Sequence, residues 1–212
     1  MQLISINIGK EQTQQHNDHI ETTGIYKMSV SEAVEIKSLG IEEDTICDTK
    51  HHGGVDQAIY VYGGADYAWW SNELGKELAP GIFGDNLTIS ELESAQFNVG
   101  DYLHIGDITL QITSPRIPCR TFAWRMRDPQ WMKKFRAAER PGLYCRVIKE
   151  GIVNTGNPVT VEKYAGEAVS ILQMYRDHYE SKMSEETIRR YLNAPIDIRS
   201  RTDLEKELNK VS

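Results

Sequence analysis

Apolar and polar residues alternate in short runs over the first three-quarters of the chain. Leu3, Ile4, Ile6 and Ile8 form one run that ends at Gly9, and residues 25–30 and 58–62 form others. Residues 39–44 (LGIEED) read as a turn into a further short strand. From residue 108, Ile108, Leu110 and Ile112 interleave with Thr109, Gln111 and Thr113, the period of two expected of a strand with one buried face. Gly106-Asp107 joins this strand to Tyr102–Ile105 as a hairpin. Leu143, Cys145 and Val147 then alternate with Tyr144, Arg146 and Ile148, and residues 154–158 turn into Val159–Glu162.

Two short helices are predicted among these strands. Asp66 is placed to cap one that carries Tyr67, Trp70 and Leu74 on one face and ends near Gly75. Asp128-Pro129 opens the other, through about Ala138. Residues 10–23 are polar and read as a loop; the His16-x-x-His19 pair within it reads as solvated rather than metal-binding, because its neighbourhood is rich in neither carboxylates nor cysteines. The period changes after about Gly166. Ala168, Ile171, Leu172 and Tyr175 recur at helical spacing, Ser184 caps a second helix, and Thr202-x-x-Glu205 is a capping box for a third. The pattern predicts a mainly β domain, barrel or sandwich, at about 1–165, followed by a three-helix appendage at 166–212.

A hydrophobic content of 40 % and a net charge of −7 are those of an acidic globular protein. The charge gives no electrostatic case for nucleic acid or an anionic membrane. No apolar run approaches the ~18 residues of a transmembrane span, and the first residues lack the form of a signal peptide, so a cytoplasmic location is expected. The three cysteines, Cys47, Cys119 and Cys145, are not spaced as a disulfide or zinc framework. Cys145 and Cys47 read as structural.

Three polar stretches carry candidate chemistry. In SPRIPCR, two prolines stiffen the exit from a strand and deliver Cys119 between Arg116 and Arg120. Guanidinium groups favour a reactive thiolate, and a buried structural thiol is the alternative. In KHHGGVDQ, Gly53-Gly54 can form an anion-binding nest beside Lys50 and His52, or simply a turn. FGDNLTI is a turn in which Asp85 and Asn86 are available to a ligand.

In order and spacing these stretches, with the later GLYCRVIKEG run, resemble the MOSC family over most of residues 38–165; the final helices resemble the three-helix domain of one bacterial branch. The resemblance implies a compact β-barrel that binds the molybdenum cofactor (molybdopterin) and, at family level, pyridoxal phosphate. It places Cys119 on the signature cysteine, as molybdenum ligand or sulfur-bearing residue. It assigns Lys50, His52, Gly53, Gly54, Phe83, Gly84, Asn86, Arg116 and Arg146 to cofactor binding, and His52 and Asp56 are candidates for acid–base work beside Cys119. Asp85 stands where many members carry glutamate, which shortens the reach.

Three functions follow as alternatives. One is a molybdoenzyme that reduces small N-hydroxylated compounds. It would draw electrons from a separate flavin or iron–sulfur protein, since no GxGxxG or cysteine cluster is present. The others are a sulfur carrier using a Cys119 persulfide, and a non-catalytic module that binds or delivers the cofactor.

Overall fold

The computed structural model describes residues 1–16 and 19–211. Eight strands form the main sheet, in the spatial order Val159–Glu162, Tyr102–Ile105, Ile108–Ser114, Leu143–Lys149, Ile59–Gly63, Leu87–Ile89, Leu3–Gly9 and Lys27–Val30. Neighbours are antiparallel except Ile59–Gly63 and Leu87–Ile89, which run parallel. Helix α1 (Gly64–Leu74) lies in the crossover that joins this parallel pair. The 102–105/108–114 hairpin turns at Gly106-Asp107, as its sequence predicts. The ladder does not close into a barrel. One antiparallel bridge, Gln2 to Pro158, joins the edge strand Val159–Glu162 to the start of Leu3–Gly9, the strand next to the opposite edge, with flanking bonds such as Leu3 N–H to the Asn157 carbonyl (2.9 Å).

The sheet separates two cores. Ile59, Val61, Leu110, Ile112, Leu143 and Cys145 face an aliphatic core, while Tyr60, Tyr62 and Tyr144 point to the opposite side. There they meet an aromatic core supplied by α1, α2 (Arg120–Met126) and α3 (Trp131–Ala138). Trp70 and Trp131 pack with ring centroids 4.7 Å apart, and Phe122 and Phe135 at 5.1 Å. Such pairs contribute roughly 0.5–1.5 kcal/mol each beyond their burial.

Several local expectations are corrected. Residues 10–23 are not a loop: Gln12–His16 and His19–Thr23 pair as a hairpin. The side chains of His16 and His19 lie outside the described residues. Strand 108–114 is buried on both faces, because the Thr113 hydroxyl shares its one proton between the carbonyls of Asp56 (2.6 Å) and Tyr144 (3.0 Å), and Gln111 bonds the Gly100 carbonyl. Asp66 does not cap α1, which starts at Gly64; it is buried, ion-paired to Arg140 at 2.7 Å. Helix α2 follows Cys119 directly, without a sequence signal.

The chain ends in α4 (Ile171–Asp177), α5 (Glu185–Asn193) and α6 (Ile198–Val211). Ser184 caps α5 as its sequence predicts, accepting from Thr187 N–H at 3.1 Å. Thr202 does not cap the last helix. Asp197 receives the Ser200 N–H at 3.0 Å instead, and Thr202 sits a turn inside, bonded to the Ile198 carbonyl. Ile171, Ile188, Tyr191 and Leu204 belong to the same apolar cluster as Leu3 and Ile6, so the helices pack on the sheet. Among the described residues no helix is long and apolar enough to cross a membrane.

Candidate functional site

Strand 108–114 ends in Ser114, and the Pro115–Pro118 turn carries Arg116 inward before Cys119 takes the position preceding α2. Cys119 is half-exposed. Arg116 is only 5 % exposed. Its Nη1 donates to the Phe83 carbonyl at 2.6 Å. The guanidinium carbon lies 4.8 Å from the Tyr60 ring centre and 4.5 Å from that of Phe122. Its Nε is buried with no hydrogen-bond partner. Among the described residues no carboxylate lies within ion-pair distance of it. A permanently charged group taken out of water without a counter-ion costs several kcal/mol, so the fold holds Arg116 at a position that an anion would relieve.

Beside it lies a buried ion pair that the sequence does not announce. Lys27 donates to both oxygens of Asp44. Asp44 also accepts from Gly9 N–H at 2.7 Å and from Asn86 Nδ2 at 2.9 Å. Burial pulls the Lys27 ammonium below its ordinary range, and Asp44 opposes that shift. Asn86 also accepts from Tyr60 N–H at 3.1 Å through Oδ1, which ties the FGDNL turn to the sheet. Asp85 does not reach the cavity. It is fully buried beneath it, accepting from Tyr67 (2.7 Å), Thr88 (2.7 Å) and Asn7 (3.3 Å).

Two glycines permit close packing here. Gly84 has φ +75°, and a Cβ there would stand 2.9 Å from Ile25 Cγ1 and 3.1 Å from Arg116 Nη1. Gly53 has φ +69°, with Ile46 Cδ1 2.8 Å from its would-be Cβ. These positive φ values are ones that side-chain-bearing residues rarely adopt.

The GG loop is held from outside. His52 N–H donates to the Asp48 carbonyl at 3.0 Å. Arg199, on α6, donates to the carbonyls of Thr49, His51 and His52 (3.2–3.3 Å) and to Gln57 Oε1 (2.8 Å). Burial first, and then the nearby Arg116 charge, push the His52 imidazole down to about 4, so the ring is neutral at pH 7. Burial alone raises the Cys145 thiol, and burial with the Glu11 charge raises Cys47.

Two cavities meet at Cys119. The inner one, about 600 Å³, is lined by Arg116, Lys27, Asn86, Tyr60, Gly53 and Gly84 among others. The outer one, about 620 Å³, runs under α4 and α6 and takes in Ser114, Met174, His178, Asp197, Arg199 and Asp203. Cys119, His52 and Tyr144 belong to the wall of both. Both volumes are in the range of small-molecule sites.

The structure thus gathers His52, Gly53, Gly84, Asn86, Arg116 and Cys119 in one place, and disperses the rest of the expected set. Lys50 is exposed and lines neither cavity. Gly54 and Phe83 also stay out of the lining, Phe83 contributing only its carbonyl. Asp56 and Arg146 sit 2.9 Å apart (Oδ1 to Nε), too bent for an aligned hydrogen bond. Asp56 also accepts from Ile198 N–H at 2.7 Å, and Arg146 donates to the Pro195 and Ile196 carbonyls. Both anchor the start of α6 rather than face a ligand. Lys27, Asp44, Tyr60, Arg199 and Cys47, all set at or against the cavities, were missed. Of these only Tyr60 lies directly after one of the polar stretches, in the run 58–62 that follows KHHGGVDQ.

Residues 48–160 match the family model described as the MOSC domain. The uncharacterized protein YflK of Bacillus subtilis (strain 168) is 29 % identical over 191 residues, covering 90 % of this chain and 86 % of that protein. A protein named Reductase from Gibberella moniliformis (strain M3125 / FGSC 7600) is 26 % identical over 159 residues, covering 73 % of this chain but 28 % of that protein. The crystal structure of YiiM from Geobacillus stearothermophilus is similar over 98 % of both chains, with a TM-score of 0.79 and 25 % identity.

Proposed function

The chain belongs to the MOSC domain family, and from that membership we propose that its inner cavity holds the anionic molybdenum cofactor, with Cys119 as the thiolate ligand of the metal. The observation that carries this reading is Arg116: a buried cation with an unpartnered Nε, opening on a cavity of about 600 Å³ that Cys119 also lines. Among the described residues no group of three or more His, Cys, Asp or Glu is placed to hold a metal ion. A metal at Cys119 would therefore bring most of its ligands with it, as a dithiolene pterin does. The donor set fits such a group. Arg116 offers a charged N–H to phosphate or pterin oxygens, Asn86 an amide, and Cys119 a soft sulfur.

When bound, the cofactor supplies two-electron redox chemistry, and the protein supplies ligation, orientation and electrostatics. We assign the chain to reduction of N-hydroxylated compounds, R–NH–OH + 2 e⁻ + 2 H⁺ → R–NH₂ + H₂O, the electrons coming from a separate flavin or iron–sulfur protein. A relative named Reductase supports an oxidoreductase. Neutral His52 lines both cavities and can hold or pass a proton at a ring nitrogen; Asp56, committed to α6, is not available for this. Tyr60 and Phe122 keep water from the face of Arg116 and so preserve its pull on an anion.

The test is the molybdenum and pterin content of protein purified from a cofactor-making host. Wild type should carry both, and Cys119→Ala should lose the metal while keeping its fold. Equal metal in the two would remove Cys119 as the ligand. Cys47 lines the same cavity, which favours persulfide carriage as the second reading. Absence of molybdenum from wild type, with one added sulfur on Cys119 by mass spectrometry, would establish it.

A further inference from the structure

Helices α2 and α3 carry a charge opposite to that of the whole chain. Residues 120–140 hold seven basic and two acidic residues, an excess of five positive charges in a protein of net charge −7. The two adjacent helices bury Phe122, Trp131 and Phe135 in the aromatic core, which turns their charged sides outward. Arg120, Arg127, Lys133, Lys134 and Arg136 are exposed. Lys134 is paired to Asp128 at 2.7 Å, whereas neither Arg127 nor Lys133 has an ion-pair partner among the described residues. The Arg136 guanidinium carbon stands 4.0 Å from the Tyr179 ring centre, a contact that fixes the charge without neutralising it. Two apolar groups sit among these cations: Met132 is 43 % exposed, and the half-buried Trp124 ring lies 4.8 Å from the Arg120 guanidinium carbon. Arginine, methionine and aromatic residues are the types enriched in protein interfaces. The patch starts at the candidate site, since α2 begins at the residue after Cys119 and Arg120 borders the outer cavity. At a rise of 1.5 Å per residue, the whole of α2 spans only about 10 Å.

We propose that the outer face of α2 and α3 is the docking surface for the electron donor, and that this donor is a small protein with an acidic face around its redox group. The assignment rests on the reading of Cys119 as ligand of a redox cofactor fed by a separate protein. A positive face beside the cofactor steers a negative one toward it, and the acidic remainder of the chain repels the same partner from the rest of the surface. That remainder also disfavours long polyanions. Duplex DNA or an anionic bilayer extends past the patch and meets like charge. An electron carrier needs only a small, short-lived contact, so five exposed cations around two apolar groups are enough.

The experiment titrates two acidic electron carriers, a two-iron ferredoxin of the plant type and a flavodoxin, into the full-length protein by isothermal titration calorimetry. At least one should bind at about 0.02 M salt and lose at least ~10-fold in affinity at about 0.3 M. The double substitution Arg127→Glu and Lys133→Glu should weaken that binding by at least ~10-fold at low salt, while the circular dichroism spectrum and the molybdenum content stay those of wild type. Neither residue lines a cavity, and Lys133 lies in the first turn of α3, where a carboxylate suits the helix dipole. Binding by neither carrier, binding indifferent to the double substitution, or tighter binding of duplex DNA or phosphatidylserine vesicles than of the carriers overturns the proposal. Should the double variant fail to fold, carbodiimide cross-linking of the wild type to the carrier decides instead: links from Lys133 or Lys134 support this face, and links only from other lysines refute it. Carrier binding is read without turnover, and the metal content of Cys119→Ala reports on the inner cavity alone, so the two readings fail separately.

Discussion

Asp44→Asn changes one atom pair and removes one charge from the buried floor of the cavity. In the wild type the side chains of Lys27 and Asp44 are 8 % and 5 % exposed, and the ammonium meets both carboxylate oxygens. The amide keeps an oxygen for Gly9 N–H, so the backbone bond at that corner survives. What is lost is the counter-charge of Lys27 and the oxygen that accepts from Asn86 Nδ2. Breaking a buried pair from one side costs roughly 3–5 kcal/mol. The alternative open to the protein is to deprotonate Lys27, which at pH 7 costs about 1.36 × (10.4 − 7), or about 4.6 kcal/mol. The two routes agree on a loss of about 4 kcal/mol, a large share of the 5–15 kcal/mol typical of a domain. The folded ammonium is depressed below its unfolded value, so between the two the unfolded chain binds more protons and stability rises with pH. Urea unfolding followed by tryptophan fluorescence at pH 7 and 9.5 should show the deficit shrinking at the higher pH. Adding Lys27→Met to Asp44→Asn should recover most of it. A deficit below about 1 kcal/mol, or one independent of pH, would refute the account of Lys27 as a buried charge held by Asp44.

Three further outcomes are expected. Proton NMR should find the His52 ring neutral down to about pH 4; because its folded value lies below the unfolded one, its contribution to stability rises between pH 4 and about 6.5, and a midpoint near 6.5 would contradict the burial described. Gly84→Ala should lose about 1–2 kcal/mol from the left-handed backbone alone, and displace Arg116 as well, seen as weaker retention of the cofactor in the purified protein. Arg199→Ala removes charge-assisted bonds to three loop carbonyls; amide exchange at residues 49–57 should accelerate at least ~10-fold, while the sheet amides of 108–114 keep their protection.

Short-range physics made much of the fold legible. Strands 3–9, 102–105, 108–114 and 159–162 follow from alternation and from glycine–aspartate turns, because side-chain period and turn conformation depend on a few adjacent residues. The Ser184 cap was readable for the same reason. Where a local signal competed with burial, burial won. Asp66 looked like a helix cap and became the buried partner of Arg140. The polar run 12–23 became a hairpin without burial, its two halves pairing with each other. Strand 108–114 lost its solvent face because the Asp56, Tyr144 and Gly100 carbonyls take up Thr113 and Gln111.

The candidate site divides the same way. Cys119 and the glycine loops stand out by composition, and their convergence could be expected from the family pattern alone. Which charges share the cavity was decided by packing. Lys27 and Asp44 are 17 positions apart, and Arg199 reaches the GG loop across about 150. Neither shows any local mark, because a lysine or arginine reads the same in sequence whether it is solvated or buried. The cost of burying a charge is met only by groups the tertiary fold brings to it. That same requirement pairs Asp56 and Arg146 with the start of α6, and leaves Arg116 a buried cation with no carboxylate paired to it among the described residues.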